Sequence, residues 1–169
     1  SPAKPLHQLN LLYLCAGCIP SDTEQMMAPH LNNDILQPQD WSFPVPIAYG
    51  PGRLAEIGDR CAQIGVANPL IVTDRGSRAL PFIDQLRGCL RASDIEFGLF
   101  AEMSPNPRDD EISGGRAAFR AGGHDAIIAI GGGSAMDGGK SICLTAQNEI
   151  DLWAFEFEQP VPVVEAPFP

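Results

Sequence analysis

Basic residues are scarce in this chain. Its 169 residues include 11 Lys and Arg against 21 Asp and Glu, for a net charge of −10 at pH 7. So acidic a surface argues against nucleic acid and against anionic membranes as partners. No apolar run is long enough to span a bilayer. The three histidines, His7, His30 and His124, are scattered, and no two have ligand spacing. H-x-x-H, H-E-x-x-H and G-x-S-x-G are all missing, so the sequence holds no complete catalytic constellation. Cysteine follows no framework: Cys15, Cys18, Cys61, Cys89 and Cys143 make an odd count. Reduced thiols in a cytoplasmic protein are the expectation. Cys15-Ala16-Gly17-Cys18 has neither a second CxxC nor a nearby CxxH, which weighs against zinc or redox chemistry.

What the chain does have is glycine and proline, 17 and 16 residues, within a 44% hydrophobic composition. That suits one turn-rich domain with a real core. Residues 1–40 read as an extension, poorly ordered or peripheral. Their apolar stretch Leu9–Ile19 fits a short packed helix; with Lys4 it also fits an export-signal core, the minority reading. Residues 41–169 read as one α/β domain. Phe43–Tyr49 is strand-like but carries Pro44 and Pro46, so it reads as an edge strand, and an open edge is a template for pairing with a second copy. Helical spacing covers Leu54–Ile64, Ser77–Arg91 and Asp109–Ala121. Strand-like runs cover Pro69–Thr73, Ile95–Phe100 and Ala126–Ile130, with Val161–Val164 as one further candidate. Such alternation implies βαβ units and a mainly parallel sheet with flanking helices.

The richest string is Asp125–Ser141, DAIIAIGGGSAMDGGKS. It reads as a buried strand, a turn of three glycines, and a helix from Ser134 to Gln147, with Ser134 as its cap. A glycine turn feeding a helix N-terminus is an anion site, since free N–H groups and the positive helix end face the ligand. Ser134 and Met136 occupy places that a P-loop and the G-x-G-x-x-G fingerprint reserve for glycine, which excludes both. Asp137 and Lys140 share a helix face; they are either a surface ion pair or the mouth of the phosphate site. Asp74 ends a strand, as a ribose-binding carboxylate or a turn cap. As a ribose ligand it favours NAD over NADP. Asn106, between two prolines, is a turn residue or a ligand contact. Asp74, Asn106 and Gly131 all follow strands, so one sheet edge gathers them.

From about Trp41 onward the sequence resembles the N-terminal half of the iron-containing alcohol dehydrogenase family. The matching pieces are FPVPIAYGPGRLAEIG, PLIVTDRG, SPNPR and DAIIAIGGGSAMDGGKS, the last fitting GGGSxxDxxK at every fixed position. The resemblance implies a Rossmann-like NAD(P)-binding domain followed by a helical domain holding a divalent metal, often iron. It implies a ribose contact for Asp74, a place in the nucleotide cleft for Asn106, pyrophosphate binding by Gly132, Gly133 and Ser134, and a nicotinamide-end role for Asp137 and Lys140. The family's metal ligands lie beyond Pro169, so the chain is expected to bind cofactor without turning over a small alcohol or aldehyde by itself. The alternatives are a non-catalytic nucleotide-binding module, and a relative of glycerol dehydrogenase or dehydroquinate synthase, which Ser134 and Lys140 fit less well.

Overall fold

Two apolar runs decide the architecture. Pro69–Asp74 and Ala126–Gly131 are buried along nearly their whole length, as strands covered on both faces must be. The computed structural model describes residues 12–15, 39–42, 46–156, 158, 160, 162 and 163. In chain order the elements are β1 (Leu12–Cys15), β2 (Gln39–Ser42), β3 (Pro46–Tyr49), α1 (Ile57–Ile64), β4 (Pro69–Asp74), α2 (Pro81–Ala92), β5 (Gly98–Met103), α3 (Asp109–Ala121), β6 (Ala126–Gly131) and α4 (Gly133–Thr145). Short 3₁₀ turns at Arg53–Glu56 and Leu152–Phe155 flank this set.

The main sheet has the order β1-β6-β4-β5, and every pairing in it is parallel. β2 and β3 form a separate antiparallel ribbon. Arg53 ties this ribbon to the 3₁₀ turn before α1, lying 3.0 Å from Asp40 of β2 and 2.8 Å from Glu56 of the same turn. Along β4 the side chains alternate between two cores. Ile71 joins Ile57, Cys61, Ile83, Leu86 and Leu90 under α1 and α2. Leu70 and Val72 join Met103, Ile112, Phe119 and Ile142 under α3 and α4. The crossover from β4 to β5 therefore runs over one face, and that from β5 to β6 over the other. The chain reverses direction between β4 and β6, which opens a crevice beyond their carboxyl ends. This is a Rossmann-like α/β fold.

Several boundaries differ from the sequence expectation, each for a local reason. α2 starts at Pro81, not Ser77. The Asp74 carboxylate accepts from the Ser77 N–H at 2.9 Å and the Ser77 hydroxyl at 2.7 Å, holding a turn there, and Pro81 suits a first helical position. β5 starts at Gly98, because Ile95 donates its N–H back to Leu90 and belongs to the end of α2. The first turn of the predicted Leu54–Ile64 helix is 3₁₀. Leu12–Cys15, inside the expected extension, forms a strand along β6. Cys18, His7, His30, Phe43, Pro44, Val161 and Val164 lie outside the described residues. Cys61, Cys89 and Cys143 are free thiols; burial pushes Cys61 and Cys143 up to about 11, so both stay protonated and inert.

The Gly138-Gly139 pair on α4 reads from sequence as a weak first turn. The structure gives it a packing role. A Cβ on Gly138 would lie 2.6 Å from Met103 Sδ, and one on Gly139 would lie 2.5 Å from Ala129 Cβ. Only glycine lets α4 approach β5 and β6 this closely. Gly139→Ala is therefore expected to lower the unfolding free energy by roughly 1–3 kcal/mol through overpacking, despite the better helix propensity of Ala. Gly88→Ala, at an exposed position of α2 with open space at its Cβ position, is expected to raise it by about 0.5–1 kcal/mol. Urea unfolding of both variants checks the opposite signs.

Candidate functional site

The crevice between β4 and β6 is built from glycine outward. Gly131 ends β6 with φ 138°, a conformation that L side chains rarely adopt. A Cβ there would lie 2.9 Å from Ala135 Cβ, 3.0 Å from Asp74 Oδ2 and 3.4 Å from Thr73 Oγ1. Gly131 thus brings β6 against β4 and starts α4 at once. Gly132 and Gly133 differ: a Cβ on either would meet nothing within 4 Å. They are exposed, with open space at both Cβ positions.

Ser134 does not cap α4. The helix begins at Gly133, its N-cap is Gly132, and no side chain bonds the cap position. Ser134 instead donates its hydroxyl to the Pro105 carbonyl at 2.6 Å. This leaves the first-turn N–H groups of α4 without intrahelical acceptors, as at any helix start. With the partial positive charge of the helix end they suit an anion.

Asp74 lies half-buried at the end of β4, and its carboxylate holds Ser77. Of the two sequence readings, the turn cap is realised, and it also fixes the carboxylate beside Gly131. Asn106 is exposed in the loop after β5, where its carbonyl accepts the Ser104 hydroxyl at 2.7 Å. Asp137 and Lys140 pair with each other at 3.5 Å on the exposed side of α4, a geometry worth little to stability. The edge thus gathers Asp74, Gly131, Gly132, Gly133, Ser134 and the Asn106 loop. Asp137 and Lys140 follow one and two turns into α4.

Glu111 is the residue that sequence reasoning missed. It was legible only as one of three acids in the first turn of α3. Its side chain is 3% exposed. Oε2 accepts from the Ser104 N–H at 3.2 Å, the Ser104 hydroxyl at 2.9 Å and the Arg108 N–H at 3.2 Å. Oε1 lies 3.0 Å from the Arg75 guanidinium and 3.6 Å from that of Arg108. One carboxylate thus clasps the loop after β5 to the turn after β4, and Ser134 joins that loop to α4. Burial pushes the Glu111 carboxyl up, but the Ser104 and Arg108 bonds outweigh it and hold it below the usual range. Thr73 was also missed: its hydroxyl is fully buried beside Gly131, with no hydrogen-bond partner among the described residues. No pattern in the sequence distinguishes it from any other strand threonine.

Acid tests the clasp. The folded pKa of Glu111 lies below its ordinary value of 4.5. Its stabilisation is therefore complete above that value and disappears as pH falls through the lower folded value. Wild-type unfolding free energy, followed by urea titration from pH 7 to about pH 3, is expected to drop along this limb. Glu111→Gln is expected to be less stable at pH 7 and to show a shallower drop.

With this geometry, the relatives of the chain carry weight. The sequence profile of the iron-containing alcohol dehydrogenases matches residues 44–168. The 1,3-propanediol dehydrogenase of Klebsiella pneumoniae is 36% identical over 118 residues, which is 69% of this chain and 30% of that protein. The NAD-dependent methanol dehydrogenase of Bacillus methanolicus is 32% identical over 106 residues, 63% of this chain and 28% of that protein. A crystal structure of 1,3-propanediol oxidoreductase superposes with a TM-score of 0.61 at 38% identity, covering 63% of this chain and 28% of that one. The chain spans about 30% of the length of these curated relatives. A profile match across most of the chain, on a fold those relatives share, leads to one assignment: this chain belongs to the iron-containing alcohol dehydrogenase family.

Proposed function

We propose that this chain is the nucleotide-binding part of an NAD-dependent alcohol dehydrogenase. The observation that carries the reading is the contrast within the glycine turn. Gly131 is needed by the backbone, whereas Gly132 and Gly133 leave open space beside an uncapped helix start. That space fits a pyrophosphate, which the first-turn N–H groups of α4 would hold. Asp74, fixed by Ser77, would accept a ribose hydroxyl at the switch point. The Asn106 loop would wall the cleft, braced by Glu111 and Ser134. Asp137 and Lys140 would flank the nicotinamide end. When bound, a nicotinamide dinucleotide supplies hydride acceptance and donation. A small alcohol or aldehyde would be the substrate, as the names of the relatives suggest.

On this reading the residues of the crevice would suit the nucleotide and leave the metal unaccounted for. Among the described residues no group of three or more His, Cys, Asp or Glu side chains is placed to hold one.

Calorimetry of the chain with NAD, NADP and ATP tests the reading. NAD is expected to bind best, and a preference for ATP would sink it. Gly133→Asp sharpens the test. Its side chain would enter open space at a helix start, where an acid is compatible with the fold. It would also place a carboxylate against the pyrophosphate. Unfolding is expected to change little, while NAD affinity falls about 100-fold or more. Unchanged NAD affinity in this variant would remove the glycine turn from the site.

A further inference from the structure

This inference rests on the reading of the crevice as a nicotinamide nucleotide site. We infer that Glu111 strengthens the preference for NAD over NADP that Asp74 begins, by holding Arg75 away from the ribose position. In sheets of this kind a carboxylate near the ribose takes the 2′-hydroxyl, whereas a nearby arginine accommodates a 2′-phosphate. This chain carries both residue types in succession, Asp74 and then Arg75. Their surroundings decide which one faces the nucleotide.

Asp74 is fixed on Ser77 at the strand end. Arg75 is drawn the other way. Its N–H donates to the Met103 carbonyl at 3.0 Å, turning the backbone toward β5. Its guanidinium lies 3.0 Å from Glu111 Oε1 and 3.4 Å from Glu102 Oε2. These two acids are unequal partners. The Glu102 side chain is 53% exposed and holds little. Glu111 is buried, and a buried carboxylate needs its cation. Arg108, the other cation near Glu111, is farther away at 3.6 Å and makes paired bonds to Asp110 at 2.9 and 3.0 Å. Ser104 and Arg108 hold Glu111 through Oε2, while Oε1, without a hydrogen bond among the described residues, has Arg75 as its nearer cation. For Arg75 to reach a 2′-phosphate, it would have to leave that carboxylate buried and less compensated. Arg78 is exposed and lies 3.8 Å from Glu102, with no ion pair to Glu111 among the described residues. Glu111 is thus a positioning residue that acts through Arg75.

A double-mutant cycle reads this directly. NAD and NADP are titrated by calorimetry into the wild-type chain, Glu111→Gln, Arg75→Gln and the double variant. The readout is the ratio of NADP to NAD affinity, which a general loosening of the site would not shift. Glu111→Gln is expected to raise this ratio about tenfold, the scale of a new charge-assisted arginine–phosphate contact. Arg75→Gln is expected to leave it within about twofold of wild type, and the double variant to return it there. Glu111→Asp, which keeps the charge but shortens its reach toward Arg75, is expected to raise the ratio by less, and decides the matter if Glu111→Gln does not fold. An unmoved ratio in the deciding variant overturns the inference, as does a rise that persists without Arg75. Wild-type chain that binds neither nucleotide overturns the cleft reading and this inference together. NAD binding with an unmoved ratio overturns this inference alone.

Discussion

The close approach of α4 to the sheet is the constraint on which the rest depends. Two successive glycines remove the Cβ atoms that would strike Met103 and Ala129. The helix therefore sits low on β5 and β6, and its first turn begins immediately after Gly131. Were the helix held farther out, the turn would need more residues. The uncapped N–H groups would then no longer lie beside the end of β4. Core packing and ligand geometry are in this sense one requirement, met by backbone rather than by side-chain chemistry.

A second level of order lies along the carboxyl edge. The turn after β4, the loop after β5 and the start of α4 would each be loose if they stood alone. Glu111 joins the first two through Arg75 and Ser104, and Ser134 joins the last two through Pro105. The opposite edge has its own clip. Asp125 accepts from Ala67 and Asn68, and Asn68 in turn donates to the carbonyls of Gly122 and Gly123. Strand ends that are tied at both edges give the crevice fixed walls.

The legible parts of this fold were those governed by local pattern. The span of α3, Asp109–Ala121, follows from its apolar spacing and its acidic first turn, and the structure has the same bounds. The apolar run of β6 and the strand ends at one edge were equally plain. What stayed hidden depends on partners distant in sequence. Ser134 looks like a cap until Pro105 stands beside it. Gly138 and Gly139 look like weak helix formers until Met103 and Ala129 are placed beneath them. Glu111 looks like a dipole-favoured surface acid until Arg75 and Ser104 close over it. Asp74 was legible in both its readings, and only its distance to Ser77 shows that the turn bond is made.

β1 carries a consequence for the order of assembly. The units from β4 to α4 are built from neighbouring segments, so each contact closes a short stretch of chain. β1 is different: Leu12 pairs with Ile128, more than a hundred residues away. Such a pairing is entropically the most costly to close, and it is rewarded only once β6 already stands in the sheet. The outermost strand on the β6 side is thus a late addition to a scaffold that the central strands complete without it. Its four residues, paired along one side only among the described strands, are therefore expected to open before the central strands do.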